Sequence, residues 1–297
     1  MLICNSEAGR QRWRRPHQIQ AVERELESNG KGVVTYHTTR AGEGATVARN
    51  AVDGGAELIV VCGGDGTIND VVCGMAHSEV PLAVLPGGTA NMLARELGLP
   101  LDIVAAARLI SKSVPRRLAL GSIGQRYFVL MVGVGFDAHV VRNVNGHWKK
   151  LFGMAIYVME AIRQLVLDPP RAFILSAEQR RHEVTFACIS RAQFYGPVRM
   201  VREANLLSDQ FYVYGFCSKN PFRYFRYLLA IMTAQHTRLP DFCGFPAQKV
   251  HCEQIATNAN RISLQVDGEF AGELPCTIEI VPDALTLLMP LASSGNK

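Results

Sequence analysis

The feature that most constrains the fold of this chain is a short apolar run that breaks abruptly into glycines. Residues 57–62 (ELIVVC) are typical of a strand buried in a parallel sheet. The loop GGDGT follows at 63–67, and a helical pattern runs from Ile68 to about Met75. Strand, glycine loop and helix start together predict a phosphate-binding loop, because glycines let the backbone approach a ligand and a helix N-terminus favours negative charge.

A second unit of the same kind follows directly. It consists of an apolar run at 81–85 (PLAVL), the loop PGGTAN at 86–91 and a helical pattern at 92–97. Two such units place two loops at the carboxyl ends of parallel strands, where open α/β sheets bind ligands. Neither loop has the Rossmann or the Walker spacing. Tight turns without a ligand are the alternative interpretation of both loops.

Two side chains of the first loop have chemistry suited to a nucleotide. Asp65 can accept a hydrogen bond from a ribose hydroxyl or a neighbouring backbone N–H, or hold a metal through water. Thr67 can cap the following helix or donate to a phosphate oxygen. The sequence leaves these roles open.

The segments GGDGTIND (63–70) and LPGGTANMLARELGLP (85–100) together resemble the lipid kinase family of diacylglycerol kinases, sphingosine kinases and their bacterial relatives. NAD kinases and phosphofructokinases share the first segment but not the second. The resemblance implies transfer of the γ-phosphoryl group of ATP to a lipid hydroxyl, with Mg²⁺ as a second cofactor. The nucleotide contacts that it implies are Asn5, Thr38, Gly63, Gly64, Asp65, Gly66, Thr67, Asn69, Gly88, Thr89 and Asn91.

Several of these positions depart from the family pattern or have a simpler explanation. Residues 5–9 (NSEAG) resemble an N-P-x-S-G turn but lack its proline. Thr38 is followed four residues later by glycine, as in the family, although it can also simply end a strand. Met92 stands where the family has aspartate, which removes one carboxylate from the nucleotide side.

The pattern of elements predicts two domains. Alternating strands and helices up to about residue 110 indicate a doubly wound, mostly parallel sheet, and we predict an α/β nucleotide-binding domain at 1–118, joined by the tail 290–297. A β-rich, sandwich-type lipid-substrate domain is predicted at 119–289, with strands near 172–176, 183–189, 211–216, 249–252, 262–266, 277–280 and 284–289. We expect the substrates to meet in a cleft between the domains. Asp137, in GVGFDA (133–138), either faces that cleft or caps a helix.

The segment QVDGE at 265–269 supplies two carboxylates beside a glycine. Phosphoryl transfer to an alcohol needs a positioned hydroxyl, a carboxylate to accept its proton, and cations on the phosphates. The family resemblance assigns Glu269 as the proton acceptor, with Asp267 beside it. Taken alone, DGE is typical of an ordinary hairpin turn.

A metal site is implied at the segment ANLLSDQF (204–211). Related bacterial kinases have D-G-x here and bind Mg²⁺ through one carboxylate and two backbone carbonyls. Carried over, the ligands are Asp209 and the carbonyl oxygens of Leu206 and Phe211. Gln210 stands where the family has glycine, so the turn is expected to differ.

Composition limits the partners and the compartment. The chain of 297 residues is 48% hydrophobic and 19% charged with a net charge of +5, which indicates a folded protein compatible with an anionic membrane surface. Eight cysteines without a C-x-x-C pair indicate free thiols in a reducing compartment. We expect no leader peptide, no spanning helix, no nucleic-acid partner and a cytoplasmic location with peripheral membrane contact, and a homodimer is left open.

The aromatic and basic start of a helix predicted from Pro221 to about His236 is the segment suited to membrane contact, with core packing as the alternative. The leading hypothesis is a lipid kinase. A kinase of a soluble substrate such as NAD is the first alternative. The second is a lipid- or nucleotide-binding relative without turnover, which the departures at Met92 and Gln210 favour.

Overall fold

The computed structural model describes residues 1–5, 15–28, 30, 32–136, 138, 163, 165, 170–195, 198–233, 235–255 and 261–291. Asp137, the predicted turn after Asn5 and most of the predicted helix at 148–167 lie outside these residues. The chain divides into two compact units, the first made of Met1–Leu120 with Pro282–Lys297 and the second of Gly121–Val281.

The first unit alternates strands and helices. Its elements are β1 (Leu2–Cys4), α1 (Arg15–Ser28), β2 (Thr35–His37), α2 (Glu43–Asp53), β3 (Ile59–Gly63), α3 (Asp65–Met75), β4 (Leu82–Pro86), α4 (Met92–Glu96), α5 (Ile103–Leu109) and a 3₁₀ turn (Ile110–Lys112). The strands are parallel in the order β2-β1-β3-β4, and the end of the last strand of the chain pairs in parallel with β4 through Leu287 and Leu82.

Both faces of this sheet are covered, which explains the uninterrupted apolar runs in its strands. One face packs on α1 and α5 through a cluster that includes Val60, Cys62 and Ile103. The alternate strand residues, such as Ile59 and Val61, are also buried. The sheet therefore brings the carboxyl ends of β2, β1, β3 and β4 to one edge.

The described part of the second unit consists mostly of antiparallel strands. They are β6 (Arg126–Phe128), β7 (Met131–Gly135), β8 (Phe173–Ala177), β9 (Arg180–Val184), β10 (Phe186–Ser190), β11 (Phe194–Tyr195), β12 (Val198–Arg199), β13 (Phe211–Phe216), β14 (Phe242–Ala247), β15 (Lys249–Gln254), β16 (Ser263–Val266) and β17 (Glu269–Glu273). Strands β5 (Ser113–Ile123) and β18 (Cys276–Pro290) contribute to both units. One helix, α6 (Pro221–Met232), and a 3₁₀ turn (His236–Arg238) are also described.

Two sheets of this unit enclose one core. The first has the order β14-β13-β10-β7-β16-β17, and the second contains β18, β15, β8 and β9. A single apolar cluster draws on both, for example Val132 and Val213 from the first sheet and Leu175 and Val250 from the second. The predicted fold class, a mostly parallel α/β domain followed by an antiparallel β domain, is confirmed.

Some predicted strands have different limits. The single strand predicted at 183–189 is two strands in the structure, since β9 ends at Val184 and β10 begins at Phe186. Thr185 lies between them, and its hydroxyl bonds the carbonyls of Phe216 and Ser218. Residues 277–280 and 284–289 belong to the single strand β18, which passes through Asp283 at a φ of 50°. Strands β14 and β17 were absent from the prediction, since neither segment shows a clean alternation of apolar and polar residues.

Candidate active site

The two glycine loops of the first unit are bonded to each other through their backbones. Strands β3 and β4 are neighbours in register, with Gly63 opposite Pro86. The Gly87 amide donates to the Gly63 carbonyl at 2.8 Å. A Cβ atom added to Gly88 would lie 2.5 Å from the Cα of Gly64, so this approach requires glycine. The tertiary structure thus joins the two sequence motifs into one loop pair.

Among the residues that the structure describes, helix α3 directly follows a glycine, so its N-cap residue has no side chain to bond the first amides. Its N-cap is Gly64, in an extended conformation, and the motif residues Asp65, Gly66 and Thr67 form its first turn rather than a loop before it. The first N–H groups of a helix have no partner within the helix. This end of α3 therefore has the donors and the partial positive charge that bind an anion.

Helix α4, in contrast, already has an anion at its start. Asp65 Oδ1 accepts hydrogen bonds from the amides of Met92 at 2.7 Å and Leu93 at 3.4 Å. Of the three roles that the sequence left open for Asp65, the structure provides the bond to a neighbouring backbone N–H. The side chain of one motif thus caps the helix of the other.

The second loop is closed by its own asparagine. Asn91 Oδ1 accepts from the Gly88 amide at 2.7 Å, and Asn91 Nδ2 donates to the Gly88 carbonyl at 3.1 Å. The Asn91 backbone has a φ of 50°, a left-handed conformation that asparagine tolerates better than most residues. Thr89, between them, is exposed. In this loop the Gly88 amide is already used, and the Thr89 side chain is the group that faces solvent.

The remaining predicted nucleotide residues lie at the same edge of the sheet. Asn5 follows β1 and donates from Nδ2 to Thr67 Oγ1 at 3.1 Å. Because this bond uses an acceptor lone pair of Thr67, the hydroxyl proton of Thr67 stays available as a donor. Thr38 follows β2, is buried, and bonds the Cys4 carbonyl through both its amide at 2.8 Å and its hydroxyl at 3.3 Å. The predicted strand-end role of Thr38 is therefore the one its contacts support.

Asn69 occupies an unusual position on α3. Its side chain is 2% exposed, and neither atom of its amide has a hydrogen-bond partner among the residues that the structure describes. An unpaired buried polar group costs roughly 1–3 kcal/mol. A buried polar group without a partner is expected to have a role other than packing. Asn69 lies one helical turn after Asp65 on α3, close in sequence to the first glycine loop.

The burial of Asp65 gives a testable pH dependence. Burial raises the pKa of the Asp65 carboxyl, and the backbone amides of Met92 and Leu93 oppose that shift. A carboxyl whose pKa is higher in the folded protein stabilises it below the unfolded pKa, and that contribution is lost as pH rises through the folded pKa. We expect the free energy of unfolding of the wild type, minus that of Asp65→Asn, to fall as pH rises from about 4 to 7 in urea titrations. A difference that grows with pH would show that the ionised carboxylate is the stabilising form.

The DGE segment of the second unit forms a two-residue hairpin between β16 and β17. Asp267 and Gly268 have φ values of 50° and 84°, the positive values that a type I′ turn requires at both central residues. Asp267 is buried; its amide donates to the Met131 carbonyl at 3.0 Å, and its Oδ1 accepts from the Met131 amide at 2.8 Å. These bonds fasten the hairpin to the start of β7.

Glu269 is the carboxylate of this hairpin that reaches solvent. Its side chain is 51% exposed, and its Oε2 lies 3.2 Å from Arg126 Nη2. Arg126 lies at the start of β6, 143 residues away in sequence, so no local pattern indicates this pair.

The predicted metal ligands do not fit a divalent ion. The guanidinium of the buried Arg191 donates from Nη2 to the carbonyls of Leu206 and, at 3.3 Å, Ser208. An ion on the Leu206 carbonyl would lie about 4 Å from this guanidinium, and at a dielectric constant of about 20 a doubly charged ion is repelled by roughly 8 kcal/mol at that distance. Asp209 is exposed, Phe211 begins β13, and no group of three or more His, Cys, Asp or Glu side chains in the described part of the chain is arranged to hold a metal.

The predicted site residues thus form separate groups. The nucleotide residues gather at one sheet edge of the first unit, whereas Asp267, Glu269 and the 204–211 segment belong to the second unit. Within the second unit, Arg126 and Arg191 are the side chains that sequence reasoning missed. Both act through contacts with residues far along the chain. No helix among the described residues is long and apolar enough to cross a membrane.

Comparison with known proteins gives matches along most of the chain. The family model described as "Diacylglycerol kinase catalytic domain" matches residues 1–123, and the one described as "YegS C-terminal NAD kinase beta sandwich-like domain" matches residues 130–289, more than half of the chain. The diacylglycerol kinase of Bacillus subtilis (strain 168) is 26% identical over 280 residues, which cover 92% of this chain and 90% of that protein.

Two further matches agree with these. A protein of Chromohalobacter salexigens named "Probable lipid kinase YegS-like" is 33% identical over 146 residues, 48% of this chain and 47% of that protein. The fold is that of a diacylglycerol kinase crystal structure from Bacillus anthracis str. Sterne, with a TM-score of 0.78 at 21% identity over 97% of this chain and 96% of that one. The chain therefore belongs to the bacterial diacylglycerol kinase and YegS-like lipid kinase family, with a diacylglycerol kinase catalytic domain followed by a YegS-type C-terminal domain.

Proposed function

We propose that this protein is an ATP-dependent lipid kinase that transfers the γ-phosphoryl group to the hydroxyl of a diacylglycerol, a sphingosine or a related lipid. The observation that carries the proposal is the pair of glycine loops, joined by the Gly87–Gly63 bond beside the start of α3, where the N-cap residue is a glycine. That arrangement offers backbone donors to a triphosphate. Membership in a family of kinases supports the same function.

On the donor side, the first turn of α3 binds the phosphates. The amides of Asp65, Gly66 and Thr67 and the Thr67 hydroxyl supply hydrogen bonds, and Asn5 orients that hydroxyl by donating to its oxygen. Asp65 fixes α4 relative to α3 through its Oδ1. Mg²⁺ enters with ATP as part of the substrate and neutralises charge on the β- and γ-phosphates.

On the acceptor side, Glu269 is the general base. It accepts the proton of the lipid hydroxyl, the hydroxyl oxygen forms a bond to the γ-phosphorus, and the bond from that phosphorus to the bridging oxygen breaks to release ADP. Arg126 limits the rotation of this carboxylate through the ion pair between them. Asp267 is a positioning residue, because its bonds to Met131 fix the hairpin that presents Glu269.

The direct test incubates purified protein with Mg²⁺ and γ-labelled ATP in the presence of mixed micelles of diacylglycerol, sphingosine or an extracted lipid mixture, with NAD in a parallel reaction. We expect label in a lipid and none in NAD. Labelling of NAD alone would establish a soluble-substrate kinase. Binding of ATP without transfer to any acceptor would establish a relative without turnover.

We also propose that α6 contacts the membrane that holds the lipid. Its inward face is fixed by tyrosines: Tyr224 donates to Thr185 Oγ1 at 2.6 Å, and Tyr227 bonds Asp241 and stacks on Phe216. Core packing, one of the two roles predicted for this helix, therefore applies to this face. The outward face carries Phe222, Phe225 and Leu229, which are 80%, 44% and 63% exposed.

The charge of α6 suits an anionic bilayer. Arg223 and Arg226 are exposed, and α6 contains no acidic residue. Arg223 is paired with Asp241 at 2.9 Å, so Arg226 supplies the charge that faces outward. A helix with aromatic and aliphatic side chains beside arginine binds at the lipid–water boundary.

We expect the triple variant Phe222→Ser, Phe225→Ser, Leu229→Ser to lose binding to vesicles of mixed neutral and anionic phospholipid, measured by co-sedimentation. Burial of these side chains in lipid supplies most of the binding free energy, so affinity should fall at least about 10-fold. The rate on vesicle-bound lipid should fall with it, whereas the rate on a short-chain lipid in solution stays unchanged. Val34→Ser, an exposed apolar residue of the first unit, is the control. Equal binding by the triple variant and the control would overturn the proposed surface.

A further inference from the structure

The second unit contains a buried cation that the proposed reaction does not use. Arg191 directly follows β10, its amide donates to the Leu130 carbonyl at 2.8 Å, and its side chain is 0% exposed. Arginine is almost never buried to this degree unless its charge is compensated. The groups that compensate it therefore show what the side chain does.

The guanidinium is bonded to main-chain oxygens of one loop. Its Nη2 donates to the carbonyls of Leu206 and Ser208. The negative charge of Asp209 also acts on this guanidinium. An arginine side chain is a cation at neutral pH, and here it is bonded to carbonyl oxygens, the kind of ligand that a hard metal ion prefers.

The rest of the loop is held by hydrogen bonds from uncharged groups. The Ser208 amide donates to the Asn205 carbonyl at 3.0 Å, the Leu207 amide donates to Asn205 Oδ1 at 2.9 Å, and Gln248 Nε2 donates to the Asp209 carbonyl at 3.3 Å. These bonds shape the turn but bring no positive charge. Among these groups, only Arg191 brings a positive charge to the carbonyl oxygens of the loop.

We propose that Arg191 is a built-in cation that takes the place of a divalent metal in the loop 204–211, so that this unit needs no Mg²⁺ for the loop to hold its shape. The guanidinium already bonds carbonyl oxygens of the loop, and its positive charge repels a metal ion from the same place. The inference does not rest on kinase activity, because it concerns the nucleotide-free protein.

The test compares thermal unfolding midpoints of nucleotide-free full-length protein in EDTA and in millimolar Mg²⁺ or Mn²⁺. We expect the wild-type midpoint to be the same in both. Arg191→Ala should lower it in EDTA by roughly 6 °C or more, because the carbonyls lose a buried charged donor. Mn²⁺ or Mg²⁺ should restore part of that loss, since the oxygens and Asp209 then face an open space. Arg191→Lys keeps the charge and should show a smaller loss with no metal response.

A double variant separates a specific site from general ion effects. In Arg191→Ala, Asp209→Asn the restoration by metal should disappear, because the single carboxylate of the site is gone. A wild-type midpoint that rises with Mg²⁺, and does so only while Asp209 is present, would overturn the proposal, as would an Arg191→Ala variant as stable as the wild type. If Arg191→Ala does not fold, Mn²⁺ binding to the wild type and to Asp209→Asn, measured by electron paramagnetic resonance, decides the question: equal binding supports the proposal and a site lost with Asp209 refutes it.

Discussion

We expect Glu269→Gln to lower kcat for lipid phosphorylation by about 10²–10⁴-fold, the range that a positioned general base contributes. The amide retains the shape of the side chain but cannot accept the proton of the lipid hydroxyl. Because Glu269 is about half exposed and its partner Arg126 lies at the surface, the free energy of unfolding should change by no more than roughly 0.5 kcal/mol. Steady-state kinetics, with ATP binding and thermal unfolding measured in parallel, test the prediction.

A matched control lies on the same strand. Glu273, at the end of β17, is paired with Arg261 at 3.7 Å, and Glu273→Gln should leave kcat within about twofold of the wild type. Arg126→Gln should lower kcat less than Glu269→Gln does, because the carboxylate that accepts the proton is retained and loses only the partner that limits its rotation. Retention of more than about a tenth of wild-type kcat by Glu269→Gln would exclude this residue as the general base.

The second large effect is expected from Gly88→Ala. The new methyl group would lie 2.5 Å from the Cα of Gly64, which is main chain and has no rotamer to change. The two loops must then separate, and the bond from the Gly87 amide to the Gly63 carbonyl must lengthen. We expect a loss of roughly 1–3 kcal/mol in the free energy of unfolding and at least about a 10-fold weaker affinity for ATP, since the donors of α3 lose their alignment.

The facing glycine provides the comparison. A methyl group on Gly64 would lie 3.4 Å from the Cα of Gly88, which is an ordinary contact, and the φ of −85° at Gly64 suits alanine. Gly64→Ala should therefore have wild-type stability, whatever its effect on phosphate binding. Urea unfolding and calorimetric titration with ATP measure both quantities. Equal stability of the two variants would mean that the loops are not held by the contact described here.

Much of the first unit could be predicted because its signals are local. An apolar run, a break at glycine and a helical period lie within about 20 neighbouring residues, and each follows from backbone conformation and the side-chain pattern. The strands and helices around GGDGT were therefore predicted to within a few residues. The second unit was harder. Thr185 divides a run that looks continuous, and β17 (EFAGE) begins and ends with a glutamate and contains a glycine, so it lacks the pattern of a strand.

The roles of individual site residues depended on contacts that sequence patterns do not contain. Asp65 bonds an amide 27 positions later, and Glu269 meets an arginine 143 positions earlier. The Arg191 side chain donates hydrogen bonds to carbonyls 15 and 17 positions later in the chain, in the loop where the sequence predicts a metal site. Such pairs form only when sheet order and register bring distant segments together.

The sequence by itself therefore determined that this chain has two glycine loops of the phosphate-binding type on an α/β sheet and a DGE turn in a β domain. Each of these features depends only on residues that are neighbours in the sequence. Only the tertiary structure decided that Asp65 bonds the first amides of α4, that Glu269 is paired with Arg126, and that Arg191 bonds the carbonyls of the 204–211 loop. The physical reason is that a hydrogen bond or an ion pair is set by distance in space, and strand pairing fixes that distance independently of separation along the chain.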